Sequence, residues 1–314
     1  MPEKIVCVVG PTACGKTRLG VLLARRYGGE VVSCDSMQIY RGMAIGTAAP
    51  TAEEMQGIPH HMIGVAEPWE QWSAARFAAA AVPVVDDILT RGKLPVLVGG
   101  TGLWMDAVIQ GHSFSAGHAG GAVRRQLQAR LEREGIEPLR AELAQVDPES
   151  AARLHPSDTK RILRALEVYL ETGDTISRHN AETKTLPPRY SAVKIGLRFA
   201  DREEMKRLID LRVDQMMAAG LVEEVRRLLD AGVPRDATSM QAIGYKELFS
   251  ALAGERTLEE AAAEIKLRSR QYAKRQLTWL RRDGSIHWIE WGEIRDFDWA
   301  LQVSTGILSA EGVF

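Results

Sequence analysis

The chain has 314 residues, 45% hydrophobic and 26% charged. That is ordinary globular usage, which argues against a disordered tail, a collagen-like repeat or a coiled coil. Its 40 Lys and Arg against 41 Asp and Glu leave a net charge of -1, so a binder driven by bulk basic charge is excluded and a local basic face is not. Cys7, Cys14 and Cys34 lack Cys-x-x-Cys spacing, which argues against a disulfide framework or a zinc site and fits a reduced compartment. No run approaches the ~18 apolar residues of a membrane helix. The five apolar residues after Lys4 are too few for a signal-peptide core, so the expectation is a cytoplasmic protein without membrane contact.

Residues 5–9 are continuously apolar and predict a buried strand, followed at once by a Gly-rich turn. Residues 16–27 predict a helix closed by Gly28 and Gly29. Residues 30–34 predict a second strand. Residues 73–91 have helical spacing, with Phe77, Val84, Ile88 and Leu89 apolar and Gly92 ending the run. Residues 94–98 predict a third strand. Such alternation implies a parallel sheet with helices packed on it.

Residues 112–121, rich in Gly, Ser, Ala and His, look like a linker. Residues 122–172 read as helices only. The long one after Pro156 can be capped by Ser157 or Asp158, and Gly173 stops it. Residues 183–189, with Pro187-Pro188, look like a second linker. A strand returns at 193–199. Helices are predicted at 202–219, 221–231, 242–253 and 258–282, and a last short strand at 287–290. The expected architecture is an α/β core of residues 1–114 and 190–314 around an inserted all-helical domain, 115–189.

Gly10, Pro11, Thr12, Ala13, Cys14, Gly15, Lys16 and Thr17 fit Gly-x4-Gly-Lys-Thr, between a strand and a helix where such a loop belongs. The glycines let backbone N–H groups face an anion, and the helix N-terminus adds partial positive charge. Lys16 would reach the terminal phosphate and the Thr17 hydroxyl would hold Mg²⁺. The core is therefore expected to be a P-loop NTPase-like parallel sheet. The motif predicts a phosphate without naming the molecule that carries it. Cys14 reads as a small residue in a tight loop, since nothing nearby suggests an activating base.

Asp35 follows the second strand and so lies at a carboxyl end, beside the loop. Its chemical roles are Mg²⁺ ligand or general base, and its plainer role is a turn residue. Asp86 and Asp87 fall inside a helix and read as a solvated face. Gly99, Gly100, Thr101 and Gly102 form a second Gly-rich strand end: either backbone close to a ligand or a tight turn with Thr101 as cap. Arg212 sits on or beside an apolar helix stripe of Met205, Leu208, Ile209, Val213 and Met216. It needs an anionic partner there, whether a bound phosphate or a structural acid, unless it snorkels. Residues 265–282 carry seven basic side chains and no acid; Arg268, Arg275 and Arg282 share one face. That face is a phosphate-backbone candidate or a solvated surface. Ile265, Tyr272 and Trp279 share another face and read as core. The adjacent pair His60-His61 lacks metal-ligand spacing.

The loop, residues 35–43 (DSMQIYRGM) and 45–48 (IGTA), Pro59-His60-His61, Gly99-Gly100-Thr101-Gly102-Leu103, residues 161–169 (RILRALEVY), Gly244-Tyr245-Lys246-Glu247 and residues 275–281 (RQLTWLR) together resemble the bacterial tRNA dimethylallyltransferases. The resemblance runs from about residue 5 to residue 282. It implies transfer of a dimethylallyl group from dimethylallyl diphosphate to N6 of the adenosine beside the anticodon, position 37, in tRNAs reading codons that begin with U. The loop would then hold a prenyl diphosphate with Mg²⁺. Asp35 matches the family's general base, and Thr101 and Arg212 match groups at the diphosphate and substrate. The resemblance assigns tRNA contacts to Asp35, Ser36, Met37, Gln38, Thr101, Val123, Thr159, Lys160, Arg161, Ile162 and Leu163, with Arg268, Arg275 and Arg282 on the stem backbone. The inserted domain matches the one that grips the anticodon stem-loop, and a monomer is expected. Cys14 stands where the family commonly has Ser, and Trp104 where it has Tyr, a change expected to alter the prenyl pocket. Residues 111–121 lack the family's Pro and acidic residues. Two other functions fit parts of the pattern: a small-metabolite kinase, revealed by phosphate transfer from ATP, and a non-catalytic RNA binder, revealed by tRNA binding without turnover.

Overall fold

The computed structural model describes residues 2–111 and 121–314, the side chain of Lys184 excepted. The linker expected at 112–121 lies almost wholly outside the described residues. The chain divides into two compact units, Met1–Gly111 with Arg189–Phe314, and His112–Pro188. The first unit begins with β1 (Lys4–Val9), α1 (Lys16–Arg26), β2 (Glu30–Ser33), α2 (Ala52–Met55), β3 (His60–His61), α3 (Ala74–Thr90), β4 (Pro95–Gly99) and α4 (Gly102–Gln110). The second unit holds α5 (Ala122–Glu134), α6 (Glu137–Val146), α7 (Pro148–Arg153), α8 (Thr159–Thr172) and α9 (Ile176–Thr185). The first unit resumes with β5 (Ser191–Phe199), α10 (Arg202–Ala218), α11 (Leu221–Asp230), α12 (Phe249–Leu252), α13 (Leu258–Leu280), β6 (Ile286–Trp291) and α14 (Phe297–Ala310).

The six strands form one parallel sheet in the order β3-β2-β4-β1-β5-β6. β1 is apolar on both faces because it is central and covered on both sides. Val6 stands opposite Val96 on one neighbour and Val193 on the other. This order sets the carboxyl ends of β2, β4 and β1 side by side, where ligands of such sheets bind.

Three local readings change. Residues 242–253 are not one helix but 3-10 turns, of which Lys246–Leu248 is one, leading into the four-residue α12. Gly244 is the reason: its φ of 101° leaves the helical region, and its N–H goes to the Glu247 carboxylate instead, at 2.9 Å. β3 is a strand of two residues, too short to show alternation. α14 was not anticipated, although Phe297, Ala300, Ser304 and Leu308 bury one face at helical spacing. In α3 the buried stripe runs through Phe77, Ala81, Val85 and Ile88, with Val84 and Leu89 at its edge.

The helical unit has its own core: Leu127, Leu139, Leu143, Ile162, Leu163, Ala165 and Leu166. Of the two candidate caps of α8, Asp158 serves, accepting from Arg161 N at 3.3 Å. Gly173, at φ 73°, ends the helix. Among the described residues no helix is long and apolar enough to cross a membrane.

Candidate active site at the phosphate-binding loop

The loop leaves β1 at Gly10 and enters α1 at Lys16. Gly15 has φ 91°, and a Cβ there would stand 2.6 Å from the Phe297 ring. Both facts require glycine. No side chain caps α1, so its first-turn N–H groups are open to an anion. Lys16 Nζ donates to the Pro11 carbonyl at 2.7 Å. Burial lowers its pKa, and the nearby Arg212 charge adds to that. Cys14 is buried, and burial pushes its thiol up against the opposing effect of Lys16. A neutral, enclosed thiol is a packing residue, not a nucleophile. The Thr17 hydroxyl has no partner among the described residues and is half-buried beside the loop. Mg²⁺ takes few protein ligands and the rest from phosphate and water, so one free hydroxyl fits it.

Asp35 follows β2 and accepts from Met37 N at 2.9 Å through Oδ1. Ser36 N donates to the Thr101 hydroxyl at 3.4 Å. Thr101 heads α4 without capping it. Its hydroxyl faces the turn of residues 35–38 instead, so the capping role is not the one it takes. A Cβ on Gly99 would stand 2.4 Å from the Cys34 carbonyl, so glycine is what lets the two strand ends approach. Gln38 is spent on the protein: it accepts from Ser33 Oγ at 2.9 Å and donates to the carbonyls of Thr47 and Ala48.

Arg212 is half-buried and donates to the Ala48 carbonyl at 3.4 Å. Burial lowers its pKa against the opposing charges of Asp35 and Glu54. No described residue forms an ion pair with it. Of the partners expected for it, a paired structural acid is absent among the described residues. The loop above it is pinned by Glu224, 3% exposed, which accepts from Ile45 N and Gly46 N at 2.9 Å and from the Tyr245 hydroxyl at 2.6 Å.

α13 closes the site. Gln276, 6% exposed, accepts from Thr12 N at 2.9 Å and donates to the Gly100 carbonyl at 3.0 Å. One side chain thus ties the two Gly-rich turns together. The seven-residue spacing of Ile265, Tyr272 and Trp279 predicts three core residues, and the structure keeps one of them. Ile265 is core, but Tyr272 is half-buried next to Asp35 and Thr101, and Trp279 is 41% exposed. Burial and the Asp35 charge push the Tyr272 phenol up to about 12. The basic run also divides. Lys266 and Arg270 pair with Asp214 and Asp210 of α10, each at 2.6 Å, and Arg268 reaches Glu264 at 3.2 Å. Lys274, Arg275, Arg281 and Arg282 have no carboxylate partner among the described residues. Arg275 lies over Tyr272 and Arg282 over Trp279.

Other residues singled out in the sequence make contacts within the protein. Asp86, on the partly exposed face of α3, accepts from the Tyr190 hydroxyl at 2.7 Å and from Arg189 at 2.6 Å, tying α3 to the residues that lead into β5. His61 contacts Glu30 at 2.7 Å and His60 the Ile58 carbonyl at 2.8 Å. Trp104 is 7% exposed and packs on Phe77 with ring centroids 4.5 Å apart. In the helical unit, Ile162 and Leu163 are 1% and 2% exposed, and Val123 packs on the same core. The Ile162 and Leu163 side chains are enclosed in that core, while Val123 is partly exposed at its edge. Lys160 and Arg161 are exposed at the first turn of α8 and Thr159 is half-buried beside them, with Arg161 paired to Asp158 at 2.8 Å.

A parallel sheet with a Gly-x4-Gly-Lys-Thr loop after its first strand defines a P-loop-type protein, here with the Asp35 carboxylate and two half-buried cations, Lys16 and Arg212, beside the loop. The family model described as IPP transferase matches residues 38–283, and that described as isopentenyl transferase matches residues 3–63. The chain belongs to this family. It is 47% identical to a tRNA dimethylallyltransferase of Halalkalibacterium halodurans, over 95% of this chain and 94% of that protein. It is 40% identical to one of Acetivibrio thermocellus, over 99% of each. Among solved structures, the full-length tRNA isopentenylpyrophosphate transferase of Bacillus halodurans matches with a TM-score of 0.73 and 43% identity, over 99% of this chain and 98% of that one. A eukaryotic dimethylallyltransferase acting on tRNA matches with a TM-score of 0.83 and 28% identity, over 98% of this chain and 80% of that one.

Proposed function

We propose that this enzyme moves a dimethylallyl group from dimethylallyl diphosphate to N6 of adenosine 37 in tRNAs reading codons that begin with U. The products are N6-dimethylallyladenosine and diphosphate. The observation that carries this reading is the grouping of Asp35 and Thr101 with Lys16 and Arg212, two half-buried cations without carboxylate partners. Such a site wants an anion on one side and a proton donor on the other.

The diphosphate lies on the loop N–H groups, Lys16 and Arg212. The adenine leaves its stack, at a cost of about a few kcal/mol, and places its amine at Asp35. The amine nitrogen bonds to C1 of the prenyl chain as the C1–O bond breaks. The electron pair leaves with the diphosphate, where the preorganised cations and N–H groups meet the growing charge. Asp35 takes the proton that the nitrogen sheds. The Thr17 hydroxyl would hold Mg²⁺, which would supply neutralisation of the phosphate charge. Arg275 and Arg282 neutralise backbone phosphates of the RNA. The helical unit contributes Thr159, Lys160 and Arg161 to holding the anticodon stem-loop. The chain works in the cytoplasm as a monomer. A kinase reading is weaker, because it leaves Arg275 and Arg282 of α13, which have no carboxylate partner among the described residues, without a role.

The test uses labelled dimethylallyl diphosphate, Mg²⁺ and unmodified bacterial tRNA, with digestion to nucleosides. Label is expected in N6-dimethylallyladenosine. Asp35→Asn keeps an oxygen for Met37 N and should lower kcat by roughly 100- to 10,000-fold with tRNA affinity unchanged. Wild-type turnover in that variant removes Asp35 as the base. Label absent from tRNA in the wild-type assay removes the function.

A further inference from the structure

β6 and α14 take no part in the chemistry described, yet they meet the phosphate loop at several points. Trp291, at the end of β6 and 1% exposed, donates its indole N–H to the Cys14 carbonyl at 2.8 Å. Phe297, which opens α14, fills the place where a Gly15 side chain would stand. The two rings touch, with centroids 5.1 Å apart, and the Arg18 guanidinium covers Phe297 at 4.4 Å. Arg295 reaches the Ala13 carbonyl at 3.3 Å.

An anion-binding loop works only if its N–H groups face the ligand and its carbonyls face away. Consecutive carbonyls, Ala13 and Cys14, are here held by donors from a segment remote in sequence. The backbone between them is not relaxed, since Ala13 has φ 64° without being glycine. Such a conformation persists only where its surroundings over-determine it. A buried indole N–H also needs a partner of its own, so donor and carbonyl fix each other. Without the indole, the Cys14 carbonyl is free to swing toward the anion and repel it.

We propose that Trp291 is a positioning residue for the diphosphate loop, its indole N–H holding the Cys14 carbonyl away from the anion while Phe297 seats Gly15. This rests on the reading above, that the loop carries a prenyl diphosphate. Trp291→Phe keeps a ring in place and removes only the donor and part of the volume. The KM for dimethylallyl diphosphate is expected to rise roughly 3- to 10-fold, the range of one hydrogen bond, with the KM for tRNA unchanged. A donor KM equal to wild type, or equal rises in both KM values, overturns the proposal.

The wild-type protein offers a second measurement that does not depend on a variant folding. With ¹⁵N-labelled tryptophan, the Trp291 indole N–H should resist solvent exchange and shift on titration with inorganic diphosphate. The exposed Trp69 and Trp299 should not shift. An unmoved Trp291 signal under saturating diphosphate also overturns the proposal. If the wild-type enzyme ignores dimethylallyl diphosphate, the reading of the loop's cargo fails, and the titration still decides the brace.

Discussion

Arg212 and Lys16 share one small region, and each is made a weaker base by burial. Cations in that state gain most from a charge-assisted bond to a ligand. Arg212→Ala should therefore raise the KM for the prenyl diphosphate roughly 10- to 100-fold, with Arg212→Lys in between. Steady-state kinetics at saturating tRNA would show it, and unchanged donor kinetics would make Arg212 structural. At this scale the sequence was legible where a residue's role is set by its neighbours in the chain. Lys16, Thr17 and Asp35 were placed by strand ends and a contiguous motif. Gln276 and Trp291 were not, because each acts on a backbone group more than 170 positions away. Ile162 and Leu163 were assigned from a string shared with a family, and burial assigns them to packing instead.

Elements convert such residues into surfaces. α8 buries Ile162 and Leu163 and leaves Lys160 and Arg161 exposed, with Thr159 half-buried beside them. Ile162→Ala should cost about 2–5 kcal/mol of stability, read as a lower denaturant midpoint, without removing a tRNA contact. A stable variant with weakened tRNA binding would return Ile162 to the interface. α13 shows the opposite division. Its apolar period was visible in sequence, but whether each cation was spent depended on α10, which supplies Asp210 and Asp214. Arg275→Gln with Arg282→Gln should weaken tRNA binding and flatten its salt dependence, by roughly 0.7–0.9 in logarithmic slope per lost phosphate contact. Arg268→Gln should do less, since Glu264 already engages that side chain. Affinity measured at several salt concentrations checks both, and a slope unchanged in the double variant removes this face from the RNA.

The whole molecule titrates at a place far from the chemistry. Glu30, 3% exposed at the start of β2, receives Arg91 at 2.8 Å, Lys93 at 2.7 Å and His61 at 2.7 Å. The hydrogen bond from Arg91, ahead of burial and the other partners, holds its carboxyl far below the ordinary value of 4.5. A depressed carboxylate adds stability that is complete above the unfolded value and fades as pH falls below it. Stability should therefore drop as pH falls from about 5. Glu30→Gln should be less stable than wild type at pH 7, with the gap narrowing toward pH 3. Denaturant midpoints across that range test it, and a constant gap would show that the charge of Glu30 is immaterial. The sheet itself was largely legible, because buried parallel strands are short apolar runs between helices. The two-residue β3 carries no pattern, and residues 242–253 were misread because one glycine outweighed a helical composition.

The partnership of Trp291 with Cys14 also has a meaning in time. The indole that holds the anion loop is synthesised 277 residues after the loop itself. At roughly 5–20 residues per second, the nascent loop waits some 15 to 55 seconds for its counterpart. During that interval it has the sequence of a phosphate site without the geometry of one. A ribosome-bound fragment ending before β6 would carry the full Gly-x4-Gly-Lys-Thr motif and hold diphosphate poorly. Competence thus waits for β6 to join the edge of the sheet.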